Sequence, residues 1–152
     1  MSNDAQKDIS FQIAIDRART RFAHGRFELL CGQSINDVVE EANVPEAHGI
    51  YVIFSCDDLE RPLYIGKAGT VKTDGSFKAQ TLAVRLTNQQ CGKSRRKFFG
   101  ELMKEKYPAG LTFLWFVTHD KDSRIIPALA ETELLQAHYE QYKCLPELNR
   151  CS

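Results

Sequence analysis

The architecture of this chain depends on two segments, Gly49-Ile-Tyr-Val-Ile-Phe-Ser55 and Leu63-Tyr-Ile-Gly-Lys67. Both are rich in β-branched and aromatic residues, which predicts two short strands. The acidic, proline-containing segment 57–62 between them is typical of a turn, so an antiparallel hairpin is the economical topology. Successive side chains of a strand point to opposite faces, which puts Tyr51 and Tyr64 opposite the aliphatic residues beside them. We therefore expect both phenol rings to project from the same side of the hairpin.

Helical periodicity surrounds this hairpin on both sides. We predict helices from Ile9 to about Phe22, from Ile35 to about Ala42, from about Gln80 onward, from Arg95 to Tyr107, and from Pro127 to about Lys143. Leu111 to Val117 is the most hydrophobic segment and predicts a third, buried strand. Gly69 to Phe77 is polar and contains two glycines, which is typical of a loop.

These elements predict an α/β chain of the α+β type. Its small, mainly antiparallel three-stranded sheet would open with the hairpin and be flanked by helices. Residues 48–152 would form the core domain. Residues 1–47 would form an N-terminal helical extension that packs on it.

Composition excludes several classes of protein. At 152 residues, 43% of them apolar and 26% charged, the chain resembles an ordinary globular domain and not a collagen-like, mucin-like or disordered one. No apolar run is long enough to span a membrane, and Met1–Asp8 has no secretory pattern. We therefore expect a cytoplasmic protein, with association with the nucleoid as an open alternative. Five widely spaced cysteines without a CxxC pair predict free thiols.

Charge cancels over the whole chain but is unevenly distributed. The 20 basic and 20 acidic residues give zero net charge, which argues against strong nonspecific attraction to nucleic acid. However, Asn36–Glu60 contains seven acids and no Lys or Arg, whereas Arg85–Lys106 contains seven bases and two acids. A second basic cluster lies near the N-terminus: Arg17, Arg19, Arg21 and Arg26. Such clusters are either solvated helix faces or a groove that follows phosphates.

The hairpin carries two tripeptides, Gly49-Ile50-Tyr51 and Tyr64-Ile65-Gly66. An arginine, a glutamate and an asparagine follow them: Arg85, Glu131 and Asn149. In residue types and order, about residues 48–150 resemble the GIY-YIG nuclease superfamily, which includes homing endonucleases, some restriction enzymes and the incision subunit of excision repair. The resemblance implies a divalent-metal-dependent endonuclease that hydrolyses phosphodiester bonds in DNA, with RNA as an open alternative.

The resemblance assigns the electrostatic part of the reaction to Glu131 and Arg85. It implies one Mg²⁺ or Mn²⁺ ion on the Glu131 carboxylate, a hard oxygen ligand that suits these ions. Arg85 would hold a nonbridging phosphate oxygen, and Asn149 would orient either Glu131 or the hairpin. Periodicity agrees, because Glu131 and Arg85 each lie on the apolar stripe of their predicted helix. A buried ion pair between them is the alternative interpretation.

We assign proton transfer in the expected reaction to the two tyrosines and a lysine. We expect Tyr51 to take the proton of the attacking water, although the ordinary tyrosine pKa near 10 makes an unassisted phenol a poor base. Lys67, next to Gly66, would supply a positive charge that favours the phenolate. Tyr64 would position the water or the phosphate by hydrogen bonding. Packed strand aromatics without a chemical role are the alternative.

A basic helix start next to Phe98 and Phe99 is expected to follow the DNA backbone: Lys93, Arg95, Arg96 and Lys97. Gln89 stands where family members often carry His or Tyr, and Val71–Phe77 resembles an insertion. These departures keep open a weak or inactive nucleic-acid-binding module of the same fold. A protein-interaction domain that uses the acidic segment is a third alternative. No membrane partner is expected; a homodimer or a targeting protein would account for double-strand cleavage or for specificity.

Overall fold

A computed structural model describes residues 10–78, 80–90 and 93–151. The helices in this part of the chain are α1 (Ser10–Arg21), α2 (Ile35–Glu41), α3 (Leu82–Leu86), α4 (Arg95–Glu105) and α5 (Pro127–Tyr142). The strands are β1 (Ala23–Leu29), β2 (His48–Ser55), β3 (Tyr64–Ala68), β4 (Thr70–Val71), β5 (Phe77–Lys78), β6 (Gln89–Gln90), β7 (Lys93–Ser94) and β8 (Leu111–His119). A short 3-10 helix, Glu147–Cys151, follows α5.

The main sheet contains four antiparallel strands in the order β1-β8-β2-β3. The predicted hairpin is β2–β3, and the predicted buried strand is β8, so the α+β class is confirmed. The sheet has one strand more than the three predicted. That strand, β1, lies in the segment 1–47 that was expected to be helical, and it pairs with β8 along its whole length. Only Phe27 and Leu29 of β1 are buried, so its sequence carries little strand periodicity.

Each face of the sheet is covered by its own layer of helices. One face carries Tyr51 and Ile53 and packs against α2, α3 and α4. The other carries Ile50, Val52 and Phe54 and packs against α1 and α5. This confirms the predicted alternation along β2. It also separates the two basic clusters of the sequence, because α1 and α4 lie on opposite faces.

The segment predicted as a loop forms a second, smaller hairpin, β4–β5, beside the edge strand β3. Phe77 anchors it, since its ring stacks on His48 at 4.1 Å between centroids and lies 4.6 Å from the ring of His119. Gly69 allows the close approach: its φ is +101°, and an added Cβ would lie 2.4 Å from Nδ1 of His48. These contacts are distant in sequence, so local composition could not indicate them.

The expected helix after Gln80 is short. It begins after Thr81, whose hydroxyl accepts a hydrogen bond from the Val84 amide, and it ends at Leu86. Among the described residues, no helix is both long enough and apolar enough to cross a membrane. Three of the described cysteines are free thiols: Cys31, Cys56 and Cys144.

Candidate active site

A cleft of about 350 Å³ lies beside the edge strand β3. Its lining residues come from β3, the small hairpin, α3 and α5: Tyr64, Lys67, Gly69, Thr70, Gln80, Arg85 and Glu131. Because α3 and α5 pack on opposite faces of the sheet, they can meet in one cleft only around an edge of the sheet, which β3 provides. Four of the predicted catalytic residues therefore line one cavity.

The two predicted tyrosines pack against each other; Tyr64 lines the cleft and Tyr51 is buried beside it. Their ring centroids are 5.7 Å apart, and Tyr51 and Tyr64 are 0% and 2% exposed. Gly66 pairs directly with Tyr51 across the hairpin. An added Cβ at Gly66 would lie 2.5 Å from Cε1 of Tyr64 and 2.8 Å from Oη of Tyr51. The second tripeptide therefore needs its glycine for steric reasons, and only Tyr64 of the two phenols lines the cleft.

The surroundings of Tyr64 disfavour its phenolate form. Burial raises the pKa of Tyr64 to about 12, and the charge and hydrogen bonding of Tyr51 act in the same direction. The positive charges of Arg95 and Arg85 act in the opposite direction. Burial disfavours the charged form of Arg85, but its interactions with both phenols outweigh burial and raise the pKa of Arg85. The arrangement thus couples two phenols to guanidinium groups from two different helices.

Glu131 lies on α5 and presents its carboxyl group to the cleft. Desolvation raises the pKa of this half-buried carboxyl, and the positive charges of Lys67 and Arg85 offset part of that effect. Within the described residues Glu131 makes no hydrogen bond and no ion pair closer than 4 Å, so the alternative interpretation, a buried ion pair with Arg85, is not what the structure shows. By contrast, the exposed Glu133 two residues on is bound to Arg21 at 3.1 Å.

A divalent cation fits this donor set if water and phosphate oxygens supply most of its ligands. The part of the chain that the structure describes contains no group of three or more His, Cys, Asp or Glu side chains close enough to hold a metal. Glu131 would therefore be the protein ligand, and water and phosphate oxygens would complete the coordination, as is common for Mg²⁺. A desolvated carboxylate without a protein partner, in an open cleft, suits that arrangement.

Lys67 lines the cleft but does not meet Tyr51 as expected. It pairs with Ile50 across the hairpin, so it lies on the sheet face opposite Tyr51, next to α5. Its charge acts on Glu131 instead. The prediction that Lys67 favours the Tyr51 phenolate is therefore wrong, because one position along a strand reverses the face.

Arg95 is buried, contrary to the prediction. The exposed basic surface was predicted to include it, but its side chain is 0% exposed. Its Nη1 donates a hydrogen bond of 3.1 Å to Oη of Tyr51, and its guanidinium lies 5.8 Å from the ring centroid of Phe99. Lys93, Arg96 and Lys97 are exposed, as the prediction requires. The signal for Arg95 was present in the sequence, since it precedes the buried Phe99 and Met103 at intervals of four residues.

Asn149 holds the edge strand in place. Its Oδ1 accepts a hydrogen bond of 3.0 Å from the Ile65 amide, and its Nδ2 donates one of 2.8 Å to the Ile65 carbonyl. Asn149 was predicted to orient either Glu131 or the hairpin, and these two hydrogen bonds support orientation of the hairpin. The Gln89 side chain lies outside the described part of the chain; its backbone pairs with Ser94 in the β6–β7 ladder.

No family model, curated protein or solved structure matches this chain. The functional assignment therefore depends on the chemistry and geometry of the cleft.

Proposed function

We propose that this protein is a divalent-metal-dependent endonuclease of the GIY-YIG type that hydrolyses phosphodiester bonds in DNA. The observation that supports this most strongly is the convergence of a phenol, an ammonium, a guanidinium and a desolvated carboxylate on one open cleft: Tyr64, Lys67, Arg85 and Glu131. A backbone phosphate needs this set, since its negative oxygens require cationic donors and its hydrolysis requires an activated water.

Arg85 is the group we assign to the phosphate. It lies on the short helix α3 beside the two phenols and is half-buried, so its guanidinium is partly preorganised before substrate enters. A preorganised guanidinium donates charge-assisted hydrogen bonds to a nonbridging oxygen and stabilises the extra charge of the transition state. Lys67 lies near Glu131 and adds a second positive charge at the other side of the cleft.

Glu131 would hold one Mg²⁺ or Mn²⁺ ion, which supplies Lewis acidity at the phosphoryl and leaving oxygens when bound. Burial disfavours the ionised form of this carboxylate, and the positive charge of a bound cation would offset that effect. Two acidic residues with different environments lie two positions apart on α5. The desolvated Glu131 faces the cleft, and the solvated Glu133 pairs with Arg21.

Tyr64 is the phenol that can contact an attacking water, because it lines the cleft and Tyr51 lies behind it. We retain Tyr51 as the final proton acceptor, but because it does not line the cleft it has to receive a proton through Tyr64. Two exposed surfaces would contact the DNA backbone around the cleft. One is the start of α4 with Arg96 and Lys97, and the other is the small hairpin with Lys72 and Lys78. One such centre cuts one strand, so nicked product is expected unless two copies act together.

Incubation of the purified chain with supercoiled plasmid, with and without Mg²⁺ or Mn²⁺, tests the proposal. We expect metal-dependent nicking that a chelator stops and that falls about a hundredfold or more in Glu131→Gln, the scale seen when one charge-stabilising group is lost. Glu133→Gln is the matched control and should keep the wild-type rate. Salt-sensitive DNA binding without nicking would instead support the nucleic-acid-binding module. If neither is observed, the nuclease proposal fails and the acidic surface becomes the feature to pursue.

A further inference from the structure

Arg95 is the largest fully buried side chain among the described residues, and the proposed reaction does not yet use it. We propose that Arg95 is a positioning residue that holds the Tyr51 hydroxyl oxygen as the proton acceptor for Tyr64, so that the two phenols relay a proton from the cleft into the core. The catalytic part of this inference rests on the proposed endonuclease function; the Arg95–Tyr51 part does not.

The geometry of the contact is specific. Arg95 opens α4 on the sheet face that carries Tyr51, and Nη1 donates to Oη of Tyr51 at 3.1 Å. The guanidinium also lies 5.7 Å from the Tyr51 ring centroid and 5.8 Å from that of Phe99. A buried guanidinium is costly unless acceptors and opposite charge compensate it. The Tyr51 oxygen can provide both, the second when it carries a negative charge.

The same contact orients the pair of phenols. Arg85 interacts with both phenols, whereas the 3.1 Å hydrogen bond from Arg95 goes to Tyr51, so the Tyr51 oxygen faces cationic side chains from two different helices. Cationic donors stabilise the phenolate form of an oxygen, and a phenolate can only accept hydrogen bonds. The hydroxyl of Tyr64 is then the donor toward Tyr51, which is consistent with the raised pKa of Tyr64. Tyr64 in turn lines the cleft, whereas Tyr51 has none of its surface exposed.

The relay balances without any further reactant. An O–H bond of the attacking water breaks as a new O–H bond forms on Tyr64. At the same time the original hydroxyl proton of Tyr64 passes to the phenolate oxygen of Tyr51. Tyr51 begins negative and ends neutral, Tyr64 is neutral before and after, and the negative charge leaves with the hydroxide that attacks phosphorus. A phenol as hard to ionise as Tyr64 is suited to this role, since it never has to lose its proton alone.

The first test needs no activity. Protein labelled with ¹³C at the tyrosine Cζ positions is titrated without metal or DNA, and the resonances are assigned with Tyr51→Phe and Tyr64→Phe. We expect Arg95→Met to move the first ionisation of the tyrosine pair up by about one to three pH units, the usual effect of losing a neighbouring opposite charge. Arg95→Lys should restore part of the shift. Lys67→Met, which removes the cation on the other face, should leave this titration unchanged. A folded Arg95→Met protein with the wild-type titration would overturn the proposal.

The second test uses the nicking rate. In Arg95→Met the rise of the rate with pH should move upward by the same amount as the titration, so that activity lost at neutral pH returns at higher pH. A purely structural role would lower the rate equally at every pH and would refute the relay. If Arg95→Met does not fold, Arg95→Lys carries the comparison, and Tyr51→Phe should remove the pH dependence that Arg95 controls. If no variant or wild type nicks DNA, the endonuclease proposal fails while the titration still decides the Arg95–Tyr51 contact.

Discussion

Gly66 lies against the rings of both Tyr51 and Tyr64, and replacing it with alanine should destabilise the protein strongly. The added methyl group would lie 2.5 Å from Cε1 of Tyr64, 2.7 Å from Cζ of Tyr51 and 2.8 Å from its Oη. Both rings are buried and stacked on each other, so neither can turn away into solvent. Overpacking of a filled core costs about 1–3 kcal/mol. With two rings in the way, we expect Gly66→Ala to lower the free energy of unfolding by about 3 kcal/mol, the upper end of that range.

Gly100 offers a matched control within the same chain. It lies inside α4, and an added Cβ there would meet nothing within 4 Å. Gly100→Ala should therefore raise the free energy of unfolding by about 0.5–1 kcal/mol, through helix propensity and a less flexible unfolded chain. Urea unfolding followed by circular dichroism measures both variants under identical conditions. A Gly66→Ala protein within 0.5 kcal/mol of wild type, about the size of an ordinary surface substitution, would refute the packing of the phenols described above.

Three further predictions concern the surroundings of the cleft. Asn149→Ala removes both side-chain hydrogen bonds to the Ile65 backbone and should cost about 2–3 kcal/mol in urea unfolding, with faster amide exchange at Ile65. Glu131→Gln should stabilise the protein at neutral pH and lose this advantage in acid. The pKa of Glu131 is raised in the folded state, so the folded protein binds that proton more tightly and its stability falls as pH rises through the titration range; thermal unfolding in metal-free buffer between pH 4 and 8 measures the trend. Phe77→Ala removes two ring contacts worth about 0.5–1.5 kcal/mol each and should speed amide exchange in the small hairpin about tenfold or more, with the main sheet unchanged.

Much of the site could be predicted because it depends on local geometry. Alternation along a strand is a property of the extended backbone, so it placed Tyr51 and Tyr64 on one face, as the ring contact confirms. Helical spacing likewise put Glu131 and Arg85 on inward stripes, and both line the cleft. The α+β class followed from the same two periodicities.

Other predictions went wrong where the answer depends on a distant partner. The strand β1 has only two buried residues, and its place in the sheet follows from pairing with β8, far along the chain. A row of basic residues indicates positive charge, but not which of them faces inward. That is decided by the rotation of α4 on the sheet, which buries Arg95 against Tyr51, 44 positions away, and exposes its neighbours Arg96 and Lys97.

The amino-acid sequence by itself determined the class of the fold, the hairpin and the set of polar side chains that turn inward, because these follow from backbone periodicity over a few residues. Only the tertiary structure decided which charges meet. Lys67 acts on Glu131, and Arg95 acts on Tyr51, because the sheet separates two layers of helices that rejoin around the edge of β3. The charge environment of a buried group depends on neighbours from every packed element, which no local pattern encodes.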